Sequence, residues 1–220
     1  MEKKKTGFKF WLLVWGLGLA GQLCWNMENQ WFNTFVYEKI AKDPTIISWM
    51  VAISATATAV STFISGTMVD RKGRTFLLRI GTAGLSAALV AIGILFLALE
   101  RGWLQPSVAA GSITLAAFLA LVFFYSFGPG VCVWLVLSEL MPTRIRANGM
   151  SIALFSNQFV AWGLASMFLP LANAFGFGPL FLCFALFGMI YFVTVLFIPE
   201  TKGKTLEEIE TLFDRREHNA

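Results

Sequence analysis

Acids, histidine and cysteine are scarce in this sequence, and their scarcity removes most catalytic chemistry. There is one histidine, His218, in a polar C-terminal stretch, so neither a histidine-based metal site nor a His-dependent catalytic dyad can be assembled. The 3 cysteines, Cys24, Cys132 and Cys183, each sit inside an apolar run without metal-ligand spacing, and small-residue packing is the role expected of them. Charged residues make up only 14% of the 220 residues, too few to cover a soluble domain. The 17 Lys and Arg are divided among loops, which argues against nucleic acid despite a net charge of +4. Strictly alternating apolar and polar segments are missing, and with them the signature of a lipid-facing barrel. No cofactor is implied, and no nucleophile and base pair suggests an enzyme.

What fills the sequence is apolar: 57% hydrophobic residues, with 22 Phe and 8 Trp. Runs of about 20 such residues predict an all-α membrane protein of six transmembrane helices. The first starts near residue 8 behind Lys3, Lys4 and Lys5; it has no small-x-small cleavage site and is read as a retained helix rather than a signal peptide. The others cover 46–68, 77–99, 112–140, 147–171 and 179–198. Residues 1–200 thus form the bundle and 201–220 a tail. Within the tail, Thr205 and Glu208 have capping-box spacing, and Leu206, Ile209, Leu212 and Phe213 form one apolar face, which predicts a short amphipathic helix. Of the 17 basic residues all but Lys39, Lys42 and Arg101 fall on one side of the membrane, which places both termini in the cytoplasm.

Polar groups inside the apolar runs mark candidate functional positions. Gln22, Asn26, Asn29 and Asn33 share one helical face, and an amide facing lipid would be unsatisfied. They either bond neighbouring helices or line a solute path. Glu28 lies off that stripe, within reach of the interface, where a proton-coupling role is open. Ser54, Thr58, Thr62 and Ser65 repeat the one-face pattern on the second run, where small hydroxyls allow close packing; Thr58 is the candidate pore contact. Asn157 and Gln158 are adjacent in the fifth run, and at least one must point inward. Gly128-Pro129-Gly130 interrupts the fourth run just ahead of Trp134, and such a break is tolerated only beside other helices or a cavity.

The connection Gly66-Thr-Met-Val-Asp70-Arg71-Lys72-Gly73-Arg74 resembles the G-x-x-x-D-R-x-G-R signature of the major facilitator superfamily. Three further strings are similar to its sugar porter family: Gly128-Pro-Gly130 with Trp134, Glu139-x-x-Pro142-x-x-x-Arg146, and Pro199-Glu200-Thr-Lys202-Gly203. Their order matches the C-terminal six-helix half of such a porter, two inverted three-helix repeats. The resemblance implies substrate contacts at Gln22, Thr58, Trp134 and Asn157. It also implies a cytoplasmic charge network of Asp70, Arg74, Glu139, Arg146 and Glu200. Asn26, Asn29 and Gln158 join the substrate candidates, and here the chain departs from the family pattern: a second Gln is missing beside Gln22, and Gln158 stands in place of a Trp.

The implied function is alternating-access transport of a sugar or similar small polar solute, uniport or symport, across the lipid bilayer. One half would need a homodimer mate or a complementary half, because its polar face would otherwise meet lipid. The alternative is a non-transporting isolated or engineered half, or an accessory membrane subunit.

Overall fold

The structure, a computed structural model, describes residues 44–105, 107–140, 146–198 and 202–203, and over this range every apolar run is helical. The helices are α1 (Pro44–Lys72), α2 (Arg74–Glu100), α3 (Val108–Phe127), α4 (Pro129–Leu140), α5 (Arg146–Phe175) and α6 (Phe177–Leu196). Since α3 and α4 run together as one span, Ala109–Glu139, 5 helices among the described residues are long and apolar enough to cross a membrane. At 1.5 Å per residue, the 27 residues of α2 reach about 40 Å, enough for a bilayer and its headgroups. The first expected span, with Gln22, Asn26, Asn29 and Glu28, lies outside the described residues, as do Glu200 and the expected tail helix.

Two one-residue connectors set the topology. Gly73, at φ 94°, joins α1 to α2, and Gly176, at φ 91°, joins α5 to α6. A side chain is strained in that left-handed region, so glycine is what permits so abrupt a reversal. The two connectors lie at opposite ends of the bundle, an arrangement consistent with inverted repeats.

Helix α2 is the centre of the assembly, packing on α6, α3, α4 and α1, and its closest partner is α6. Lipid competes with apolar side chains on equal terms, so close approach and shape complementarity drive association. A Cβ on Gly178 of α6 would stand 2.7 Å from the Leu97 backbone nitrogen, so the helices touch there nearly backbone to backbone. Toward the same end, Phe96 of α2 stacks on Phe181 of α6 at 5.3 Å, and Phe118 of α3 meets Phe181 edge-on at 5.8 Å. Phe168 of α5 completes the cluster, 6.4 Å from Phe184. Each such pair adds roughly 0.5–1.5 kcal/mol beyond area burial.

Glu100 ties the same two helices at their ends. Its Oε1 accepts from the Phe177 N–H at 2.6 Å, and both carboxylate oxygens lie 3.3 Å from the Gly178 N–H. The first N–H groups of a helix have no partner in their own helix, and a carboxylate placed there also meets the positive end of the dipole. The last residue of α2 therefore caps α6.

By contrast α1 and α5 are loosely held. On α5 only a narrow stripe is buried, Gly149, Ala153, Asn157, Ala161, Phe168 and Ala172, while Phe155, Phe159 and Trp162 stand 74%, 62% and 67% exposed. These rings need lipid or another protein surface to cover them.

Candidate solute site and charge pair

Proline at 129 has no N–H to donate and ends α3. Gly128 caps α3 at φ −115°, ψ −81°, and the break is well bonded: the Gly128 N–H donates to the Phe124 carbonyl at 3.2 Å, and the Cys132 N–H donates to the Gly128 carbonyl at 2.9 Å. What holds the break is α2. A Cβ on Gly81 would meet Gly128 Cα at 2.6 Å, and a Cβ on Gly128 would meet the Leu77 carbonyl oxygen at 2.6 Å. Two glycines back to back thus set the point where α4 departs.

Directed by that departure, the half-buried Trp134 packs with Met150 against the pair Leu137 and Ala153, which joins α4 to α5. Asn157 stands one turn beyond Ala153 on the same buried stripe of α5, only 4% exposed. Its Oδ1 is fully enclosed, and no described residue donates to it. A buried carbonyl oxygen without a donor costs about 1–3 kcal/mol, a penalty that a bound hydroxyl would relieve. The neighbouring Gln158 turns the other way and is exposed, among Phe155, Phe159 and Trp162. Of the two adjacent amides, one therefore points in and the other out, as the 100° step of a helix requires.

On α1 the inward face reads Ser54, Ser61, Ser65 and Val69, with Thr58 half-buried among them. Thr62, expected on this face, is exposed instead, and Ser61 takes its place. The Ser61 hydroxyl donates to the Phe123 carbonyl of α3 at 2.8 Å, so this face packs helix on helix. Ser61 could have been found from the sequence, since it lies seven residues after Ser54 and three after Thr58.

At the opposite end from Glu100, Arg74 and Glu139 form an ion pair, Nη2 to Oε1 at 3.1 Å, with side chains 19% and 20% exposed. Each charge sits at the wrong end of its helix: Arg74 opens α2 at the positive pole, and Glu139 closes α4 at the negative pole. Pairing offsets that mismatch. Arg146, the first residue of α5, is half-buried, whereas Asp70 is exposed in the last turn of α1. Close by, Lys202 Nζ donates to the Arg71 carbonyl at 2.7 Å, a link between the chain after α6 and the end of α1 that sequence spacing does not reveal. Among the described residues no group of acids, Cys and His could hold a metal ion.

Comparison with known proteins places this arrangement. Residues 2–213 match the model of the family described as "Sugar (and other) transporter". The chain is 36% identical over 170 residues to Sugar transporter ERD6-like 6 of Arabidopsis thaliana, covering 74% of this chain and 33% of that protein. It is 34% identical over 152 residues to the facilitated trehalose transporter Tret1 of Aedes aegypti, covering 69% of this chain and 19% of that protein. Its fold is similar to that of the proton:xylose symporter XylE bound to 6-bromo-6-deoxy-D-glucose, with a TM-score of 0.77 and 26% identity. That match covers 91% of this chain and 42% of the symporter. The chain thus spans a third or less of these curated relatives' lengths, and its relatives are transporters rather than enzymes.

Proposed function

This chain belongs to the sugar transporter family of the major facilitator superfamily and is a multi-pass membrane protein, and from that premise we propose that it forms one wall of a path for a neutral polyhydroxylated solute, a sugar or polyol. The observation that carries the reading is the enclosed Asn157 Oδ1, which no described residue satisfies, one turn from the Ala153 contact of Trp134. A sugar hydroxyl can donate to that oxygen while an indole face stacks on the ring carbons. Thr58 and the exposed Gln158 extend the candidate contacts, as do Gln22, Asn26 and Asn29 from outside the described residues. The relatives named for trehalose, and the symporter holding a glucose analogue, support a solute of this class.

A path needs a second wall. The exposed aromatic face of α5, together with a length near two fifths of the matched symporter, supports completion by a homodimer mate or a complementary half. Transport would proceed by rocking of one half against the other. In this reading the Arg74–Glu139 ion pair holds the cytoplasmic end in one state, with Asp70, Arg146 and Glu200 as its neighbours in the proposed network. Both termini would then be cytoplasmic, as the distribution of basic residues favours.

Uptake of labelled sugars and polyols into proteoliposomes, with and without a pH gradient, tests this. Flux that falls at least tenfold in Asn157→Ala and in Trp134→Ala supports the site; undiminished flux in both removes it. The partial coverage of the relatives favours one other reading, a membrane half that does not transport by itself. It predicts a monomer by crosslinking in lipid and no flux with any solute.

A further inference from the structure

At the Arg74 end of α2 the outward surface changes character. Phe76 and Ile80 are 38% and 40% exposed, as side chains turned toward acyl chains should be. Arg79, also exposed, lies three residues after Phe76 and one before Ile80, so it shares their side of the helix. Lys72, exposed at the end of α1, brings its Nζ to 5.5 Å from the centre of the Phe76 ring. At the end of α6 the exposed Leu196, followed by the exposed Phe197, borders the same surface, since Arg79 Nη2 lies 3.4 Å from the Leu196 carbonyl oxygen. That long contact uses one of the five donors of a guanidinium.

Two cations thus stand at the rim of an apolar, membrane-facing surface. Among the described residues counter-charge is scarce there. The acids among the described residues are Asp70, Glu100 and Glu139; Glu139 pairs with Arg74, and Glu100 caps α6 at the far end of α2. Asp70, exposed two residues before Lys72, is the one carboxylate left nearby among the described residues.

We propose that this patch is a binding site for an anionic phospholipid, the headgroup phosphate held by Lys72 and Arg79 and the acyl chains lying along Phe76, Ile80 and Phe197. A guanidinium offers a phosphate two parallel bonds, and an ammonium adds a point charge. A free phosphate shares the headgroup chemistry but has no use for the exposed apolar side chains, so the surface is matched to a lipid. The assignment is independent of whether the chain carries sugar.

The test is native mass spectrometry of the full chain titrated with phosphatidylglycerol or phosphatidylcholine, in the wild type, in Lys72→Gln with Arg79→Gln, and in Arg101→Gln at the opposite end. A cation beside a charged leaflet contributes about fivefold in affinity, so the double variant should bind phosphatidylglycerol roughly 30-fold more weakly. Arg101→Gln and phosphatidylcholine binding should be unchanged, and the exchange Lys72→Arg with Arg79→Lys should keep the preference for phosphatidylglycerol. Wild-type affinity in the folded double variant, or an equal loss in Arg101→Gln, would overturn the site. Displacement of the bound lipid by millimolar inorganic phosphate would overturn its assignment to a lipid.

Discussion

Replacing Gly81 by Ala tests whether the helix break at 128–130 is held by backbone contact with α2. The new methyl would lie 2.6 Å from Gly128 Cα, 2.9 Å from Gly128 N and 2.9 Å from the Phe124 carbonyl oxygen, whereas ordinary contact begins at 3.4 Å. All three neighbours are backbone, so no side chain can swing aside; α2 and the α3–α4 junction must part by about 0.8 Å, an overpacking that costs roughly 1–3 kcal/mol. Against this, Gly→Ala inside a helix contributes up to about 1 kcal/mol of propensity. Gly163→Ala shows the propensity effect without the overpacking, because Gly163 is also helical and a Cβ there meets nothing within 4 Å among the described residues. Both variants share the propensity gain, so their difference reports overpacking alone. Equilibrium unfolding in mixed micelles should show Gly163→Ala as stable as the wild type or more so, and Gly81→Ala lower than Gly163→Ala by 1–3 kcal/mol, roughly a 5- to 150-fold change in the unfolding constant. Equal stability of the two variants would refute the argument, since α4 would then depart from α3 without help from α2.

Exchanging the ion pair, Arg74→Glu with Glu139→Arg, keeps the attraction and puts each charge at the favourable end of its helix; unfolding should show a gain of about 1 kcal/mol over the wild type, while either single change loses stability. Asn157→Leu removes a carbonyl that no described residue satisfies and should leave the solute-free protein as stable as the wild type or about 1 kcal/mol more so, while abolishing stabilisation by added sugar in a melting assay. If Asn157→Leu is instead strongly destabilised, the amide is part of the packing and not of a site. Glu100→Ala uncaps α6 and should cost about 1–2 kcal/mol, with faster amide exchange at Phe177 and Gly178 and a smaller effect for Glu100→Gln, which keeps an acceptor.

The sequence by itself determined the helical membrane class, because a bilayer leaves an apolar run of about 20 residues few ways to satisfy its backbone. It placed the break at Pro129, since a missing N–H is a covalent property. The motif around Asp70 and Arg74 led to the family, which residues 2–213 match. Periodicity said that at least one of Asn157 and Gln158 must turn inward, but not which, and it put Thr62 where Ser61 packs. Such choices depend on which neighbour a face meets, and in lipid the contrast between inside and outside is too weak for hydropathy to decide. Tertiary structure alone revealed that Gly81 and Gly128 touch and that Glu100 caps a helix 77 residues later, and within the charge network that the motifs implied it paired Arg74 with Glu139 across 65 residues. Each is a contact between segments distant in sequence, created by α2 and its neighbours lying side by side.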